Sequence, residues 1–330
     1  VTAPWPAGAA TGIGSMPGTD IAEAQRIVLG ELPDLPHLPE LPGRGPGADI
    51  IGRGAGFLVE LPVELYAAQW RVAARPGRDL RRTRDLLERD LDQLTEQTTG
   101  YAGPLKVQAA GPWTLAAGID LPIGGRMLRD PGAVRDLGAS LAEGLRAHVA
   151  DVAARVPGAS LLLQLDEPSL PAVLAGRVPT ESGLGSLRAV EPATAVGILE
   201  QVVSAAGVPV VIHCCAADVP LDVVRDAGAA AVALDLDLVV DLDALGEALD
   251  AGLRLFAGAA PTASPAPTSA AVADRVRGLW RKLGFPPAQM VEHVVVTPAC
   301  GLAGASVEQA RAMLQACRDA GRRLLDEAYA

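Results

Sequence analysis

Residues 208–215 read Val-Pro-Val-Val-Ile-His-Cys-Cys. A short, almost wholly apolar run of this kind predicts a strand covered on both faces, as parallel sheets require. The run ends in His213, Cys214 and Cys215, so reactive side chains stand at the strand's C-terminal end. Side chains two apart on a strand share a face, so His213 and Cys215 point together and Cys214 points away. The pattern recurs along the chain. Strand candidates are Thr11–Met16, Gly56–Glu60, Leu105–Ala110, Ser160–Asp166, Val208–Cys215, Ala230–Asp237, Arg254–Gly258 and His293–Cys300. Near their C-terminal ends lie Ser15, Glu60, Asp166 with Glu167, His213 with Cys215, Asp235, and Cys300.

Amphipathic stretches separate these runs. Asp79–Thr98 carries Leu80, Leu87, Leu91 and Leu94 on one stripe, and Pro131–Val156 carries Leu137, Leu141, Leu145 and Val149 at helical spacing. Val190–Ala206, Pro220–Ala227, Asp241–Ala251, Ser269–Gly284 and Ser306–Ala328 behave alike. Strand-then-helix alternation predicts a single (β/α)8 TIM barrel over residues 1–330, with a doubly wound open sheet as the alternative. In such a barrel the C-terminal strand ends form the active face, where the polar residues named above fall. The Pro- and Gly-rich stretch Leu32–Gly56 reads as a long loop after the first strand, over the barrel mouth.

The 330 residues are 49% hydrophobic and 3% aromatic, with a net charge of −11. That is ample for a large core, and it argues against nucleic acid or an anionic membrane as a partner. No apolar stretch reaches the roughly 20 residues needed to cross a bilayer. The opening Val-Thr-Ala-Pro-Trp lacks the basic start and apolar stretch of a signal peptide. Four cysteines in so long a chain do not make a disulfide framework, so reduced thiols and a cytoplasmic location are expected.

His213, Cys215 and Cys300, with Asp235 on a neighbouring strand end, form a candidate ligand set. Two thiolates and an imidazole are soft donors that select Zn2+. Having fewer sulfurs than a closed structural site leaves room for a substrate. The plainer alternative is a buried histidine beside small apolar cysteines, and for Asp235 a helix cap. Cys214 and Cys317 read as core residues, and His37, His148 and His293 receive no role.

Five motifs, in order along nearly the whole chain, together resemble the catalytic barrel of cobalamin-independent methionine synthases. They are Thr11-Gly-Ile-Gly-Ser15-Met-Pro-Gly-Thr19, Ala110-Gly-Pro-Trp-Thr114, Gln164-Leu-Asp-Glu-Pro168, His213-Cys-Cys215 and Pro298-Ala-Cys300-Gly-Leu302. The resemblance implies a zinc-dependent methyltransferase that makes methionine from homocysteine. It further implies His213, Cys215 and Cys300 as zinc ligands, with a carboxylate at the sixth strand's end, Asp235 or else Asp237, as the fourth. Ser15 and the backbone near Ile13 would hold the amino acid's carboxylate, Asp166 its ammonium, and Glu60, or alternatively Glu64, would be the second substrate carboxylate.

The chain departs from the family pattern in three places. Asp stands where the family has Glu. The turn Gly258-Ala-Ala-Pro-Thr262 lacks the family's histidine. The 330 residues are expected to form one barrel only, without the second, N-terminal barrel of full-length family members, so the chain is similar to the short single-barrel branch. The partners implied are a small-molecule thiol and a methyl donor, folate or corrinoid. Rival expectations are another thiol acceptor, a zinc-binding relative without turnover, and a uroporphyrinogen-decarboxylase-like enzyme on a related barrel.

Overall fold

A computed structural model describes residues 4–263 and 265–328, so Val1-Thr2-Ala3 of the opening segment lie outside the described residues. A short antiparallel hairpin, β1 (Val63–Tyr66) and β2 (Gln69–Val72), precedes six parallel strands. These are β3 (Gly103–Ala110), β4 (Ala159–Asp166), β5 (Val210–Cys214), β6 (Ala231–Asp235), β7 (Arg254–Ala260) and β8 (Val294–Pro298), hydrogen-bonded in sequence order. Helices cross between them, the longest at Pro131–Arg155, Val307–Ala328 and Arg78–Gln97. The helix starts follow local chemistry: Asp20, Asp49, Asp130, Asp241 and Thr268 each accept a first-turn N–H. Among the described residues, no helix is long and apolar enough to cross a membrane.

The six regular strands make a curled parallel sheet, and two irregular segments complete a TIM-like barrel. Ala10 bridges Val296 of β8, Ser15 bridges Glu40, and His37 bridges Lys106 of β3, all in parallel sense. The backbone confirms the path: Thr11 N–H donates to Val296 O, Glu40 N–H to Gly14 O, and Lys106 N–H to Pro36 O. The ring therefore runs from β8 through residues 9–16 and 36–40 to β3.

This path relocates the second barrel strand. Gly56–Glu60 is not a strand: Gly56 ends the helix Ile50–Gly56, and Glu60 sits exposed at φ 55°. The second strand's place is taken by residues 36–40, inside the stretch expected to be a loop. They read Pro-His-Leu-Pro-Glu. Pro36 and Pro39 have no N–H to give, so the segment makes isolated bridges and no regular ladder. A further helix, Ile21–Glu31, separates it from the first segment.

Inside the ring, Trp5, Ala9, Leu35, Leu162, Val211, Ala231, Ala233, Phe256 and Val295 form one buried cluster, with Trp5 edge-on to Phe256 at 4.9 Å. Towards the C-terminal strand ends the inward positions turn polar. Gln108 pairs in register with Gln164, and Asp166 with His213. An apolar floor thus supports a polar layer at the mouth.

Candidate metal and substrate site

β5 ends in His213 and Cys214, with Cys215 one residue beyond, and Cys300 lies two residues past β8. Ligand atoms of His213, Cys215 and Cys300 all lie within 4.8 Å of one another. The Cys215 and Cys300 sulfurs are 3.3 Å apart. Close contact lets the two sulfurs share a proton: the hydrogen bond with Cys215 draws the Cys300 thiol down to about 6, and Cys215 is pushed up in turn. His213 is buried; its Nδ1 meets Asp166 Oδ1 at 2.8 Å, while Nε2 is buried without a partner. An imidazole grouped with two sulfurs, one nitrogen held by a carboxylate and the other without a partner, is a donor set that could hold a metal ion such as zinc.

Asp235 stands outside this group. Its Oδ1 accepts the Asp237 N–H at 2.9 Å, closing a local turn after β6. Asp237 is engaged by Arg275 at 2.5 Å. Cys214 faces away from the cluster and lines a cavity of about 320 Å³ together with Asp235. Cys317 is fully buried in the last helix.

Ser15 reaches the cluster from the first segment. A Cβ on Gly301 would collide with Ser15 Oγ, so glycine there lets the serine hydroxyl lie against the turn that carries Cys300. Leu302 N–H donates to Ser15 O at 2.8 Å. The Ile13 carbonyl points into the barrel, accepting from Lys106 Nζ and Gln164 Nε2, each at 2.8 Å. Burial brings the Lys106 ammonium down to about 7, against the pull of Asp166 and Glu40.

Two carboxylates have roles that the motifs do not reveal. Glu167 accepts from Trp113 N–H, Thr114 N–H and Thr114 Oγ1 at 2.8–2.9 Å, tying the end of β4 to the short helix Pro112–Gly118. Gly111 is bare because a Cβ would strike Glu167. Burial pushes the Glu167 carboxyl up to about 7.

Glu40 ends the irregular second segment, where Glu60 was expected. It is buried, and Arg53 Nε donates to it at 3.0 Å. Arg53 is itself held by Asp90 at 2.8 Å, and Asp90 also takes Arg44 at 2.6 Å. Burial raises the Glu40 carboxyl, Arg53 opposes that, and the charge of Asp166 adds to it. Glu60 is exposed, and Glu64 pairs with Arg71 on the hairpin at 2.7 Å. A strand-to-helix rhythm places a strand soon after residue 32, and that signal could have exposed Glu40. After β7, residues 258–262 hold no imidazole.

The profile described as the catalytic domain of cobalamin-independent synthases matches residues 101–323. A search of curated proteins found no match. Among solved structures, a B12-independent methionine synthase from Shewanella sp. W3-18-1, in complex with selenomethionine, is similar at TM-score 0.65 and 13% identity, covering 97% of this chain and 98% of that one. A methyltransferase from Methanosarcina mazei is similar at TM-score 0.52 and 14% identity, covering 96% and 94%. At such identities the likeness is one of fold.

Proposed function

The chain belongs to the cobalamin-independent synthase catalytic-domain family, and from that premise we propose that it transfers a methyl group to the sulfur of homocysteine, giving methionine. The observation that carries the proposal is the convergence of His213, Cys215 and Cys300 at the barrel mouth. The complex of the Shewanella protein with selenomethionine, a selenium analogue of that product, supports it. The domain proposed is one barrel spanning residues 1–330.

A free thiol has a pKa of about 8.5, so only a small fraction is nucleophilic at pH 7. His213 Nε2 and the Cys215 and Cys300 sulfurs would hold zinc, a ligand set that leaves room for a substrate. When bound, zinc supplies the Lewis acidity that keeps an incoming thiol in its thiolate form at neutral pH. Asp166 and Glu40 offer carboxylates to the amino acid's ammonium group, and Ser15 offers a hydroxyl to its carboxylate. Glu40 replaces Glu60 in this role. Asp235 remains the carboxylate on hand should the resting site recruit a fourth ligand. The sulfur forms a new S–C bond as the donor's bond to the methyl breaks, its electron pair leaving with the donor; the thiol proton passes to solvent. The donor is a folate or a corrinoid. Free thiols at all four cysteines suit a reducing compartment, and the cytoplasm is the proposed location.

The test is a methyl-transfer assay with homocysteine against methylcobalamin and methyltetrahydrofolate. Methionine should form with at least one donor and not in Cys300→Ser. A zinc-loaded protein that yields no methionine from either would overturn the proposal. Turnover of another thiol alone would reassign the acceptor.

A further inference from the structure

Lys106 lies in the middle of β3 with none of its surface exposed, a costly place for an amine. Its Nζ donates to Gln164 Oε1 at 2.7 Å and to Ile13 O at 2.8 Å. Gln164 Nε2 donates to the same Ile13 O at 2.8 Å and to Asp166 Oδ1 at 2.7 Å. Asp166 Oδ1 in turn meets His213 Nδ1 at 2.8 Å. Gln164, Asp166 and His213 are all buried, so water does not compete within the chain.

The direction of each bond follows from what each group can do. An ammonium only donates, and a backbone carbonyl only accepts. The Ile13 carbonyl admits one orientation of the Gln164 amide, NH2 towards Ile13 O and Asp166, and Lys106 Nζ, a donor in either charge state, holds the amide oxygen. A flipped amide would set oxygen against the Ile13 carbonyl. With NH2 facing it, Asp166 Oδ1 accepts, and as an acceptor it requires the proton on His213 Nδ1. Nε2 is then left with its lone pair, and that atom is the one without a partner. A free histidine side chain favours the opposite tautomer, so the arrangement needs a cause.

We propose that Lys106 is a positioning residue that, through Gln164 and Asp166, fixes His213 in the Nδ1–H tautomer and so presents Nε2 to the metal. The inference rests on the metal-site reading above, but the tautomer is measurable without metal. Because Lys106 and Gln164 also share the Ile13 carbonyl, the same lysine couples the Ile13–Ser15 segment to the His213 strand.

The experiment uses the full chain, ¹⁵N-labelled at histidine and stripped of metal. The chain has four histidines, so His213→Ala identifies the signal. The wild type should show His213 protonated at Nδ1 alone. Lys106→Met and Gln164→Met should each release it to a mixture or to the Nε2–H form, and zinc affinity should fall about tenfold or more, the range seen when outer partners of a ligand are lost. Gln108→Met is the control: Gln108 is equally buried in β3 but bonds Leu38 O and lies outside the chain of bonds. It should leave the tautomer as in wild type. If Lys106→Met does not fold, Gln164→Met decides. Retention of the wild-type tautomer in the folded variants, or an equal shift in Gln108→Met, overturns the proposal. A wild type that keeps the Nδ1–H form yet binds no zinc would instead defeat the metal reading and leave only the control of the His213 tautomer by Lys106 standing.

Discussion

Glu40 is held by Arg53 at 3.0 Å and feels the charge of Asp166. Such a pair of carboxylates attracts an ammonium group strongly, because each negative charge is poorly solvated where it sits. Glu40→Gln should raise KM for homocysteine by about tenfold or more, a charged hydrogen bond contributing roughly 1.5–3 kcal/mol. Its zinc content should match wild type, and Glu60→Gln should leave KM unchanged. Equal KM values for wild type and Glu40→Gln would remove Glu40 from the substrate site. At Asp235 the turn with Asp237 N–H already occupies one oxygen. Asp235→Ala should therefore weaken zinc binding far less than Cys300→Ser, as judged by competition with a chromogenic chelator. Equal losses would show that Asp235 swings in as a full ligand.

Arg53, near the end of the helix Ile50–Gly56, is locked between Glu40 and Asp90, and Asp90 projects from the helix Arg78–Gln97 with none of its surface exposed. Removing one member of a buried ion group strands the others. Asp90→Ala should cost about 3–5 kcal/mol in urea unfolding; a loss below about 1 kcal/mol would mean that water already reaches the group. This element also shows where the sequence is hard to read. β3 to β8 are visible because most of their residues are apolar and buried, and Asp166, His213, Cys215 and Cys300 follow from their ends. Residues 36–40 hide because prolines at 36 and 39 break the strand pattern, and Glu40 hides with them. Gly56–Glu60 misled because a short apolar run, Phe57-Leu58-Val59, suits the turn beyond a helix end as well as a strand. Lys106 is itself a signal, a lone amine amid Leu105 and Val107, but its partners Ile13 and Gln164 are far away in sequence. Distances between strands, and not spacing along one, give it meaning.

On the scale of the whole molecule, acid sensitivity should come partly from a buried imidazole outside the His213–Cys215–Cys300 group. Burial pushes His148, on the helix Pro131–Arg155, down to about 4, and its ring packs on Phe57 at 4.6 Å. Unfolding frees it to take a proton near pH 6.5. The folded state binds that proton less readily, so the contribution is fully present above pH 6.5 and is lost as pH falls towards about 4. His148→Leu should flatten the stability curve over that window by on the order of 3 kcal/mol, at about 1.4 kcal/mol per pH unit. An equal loss of unfolding free energy between pH 7 and pH 4.5 in wild type and His148→Leu, each measured by urea titration, would show that His148 stays solvated. The barrel's larger claim is that its floor is apolar and its rim polar so that one metal can be gripped where the strands end. Elemental analysis of the purified chain tests this most directly. About one zinc per chain in the wild type, and almost none in Cys300→Ser that still folds, is the predicted result; a wild type that stays metal-free in excess zinc, or a Cys300→Ser variant that keeps its full complement, would contradict it.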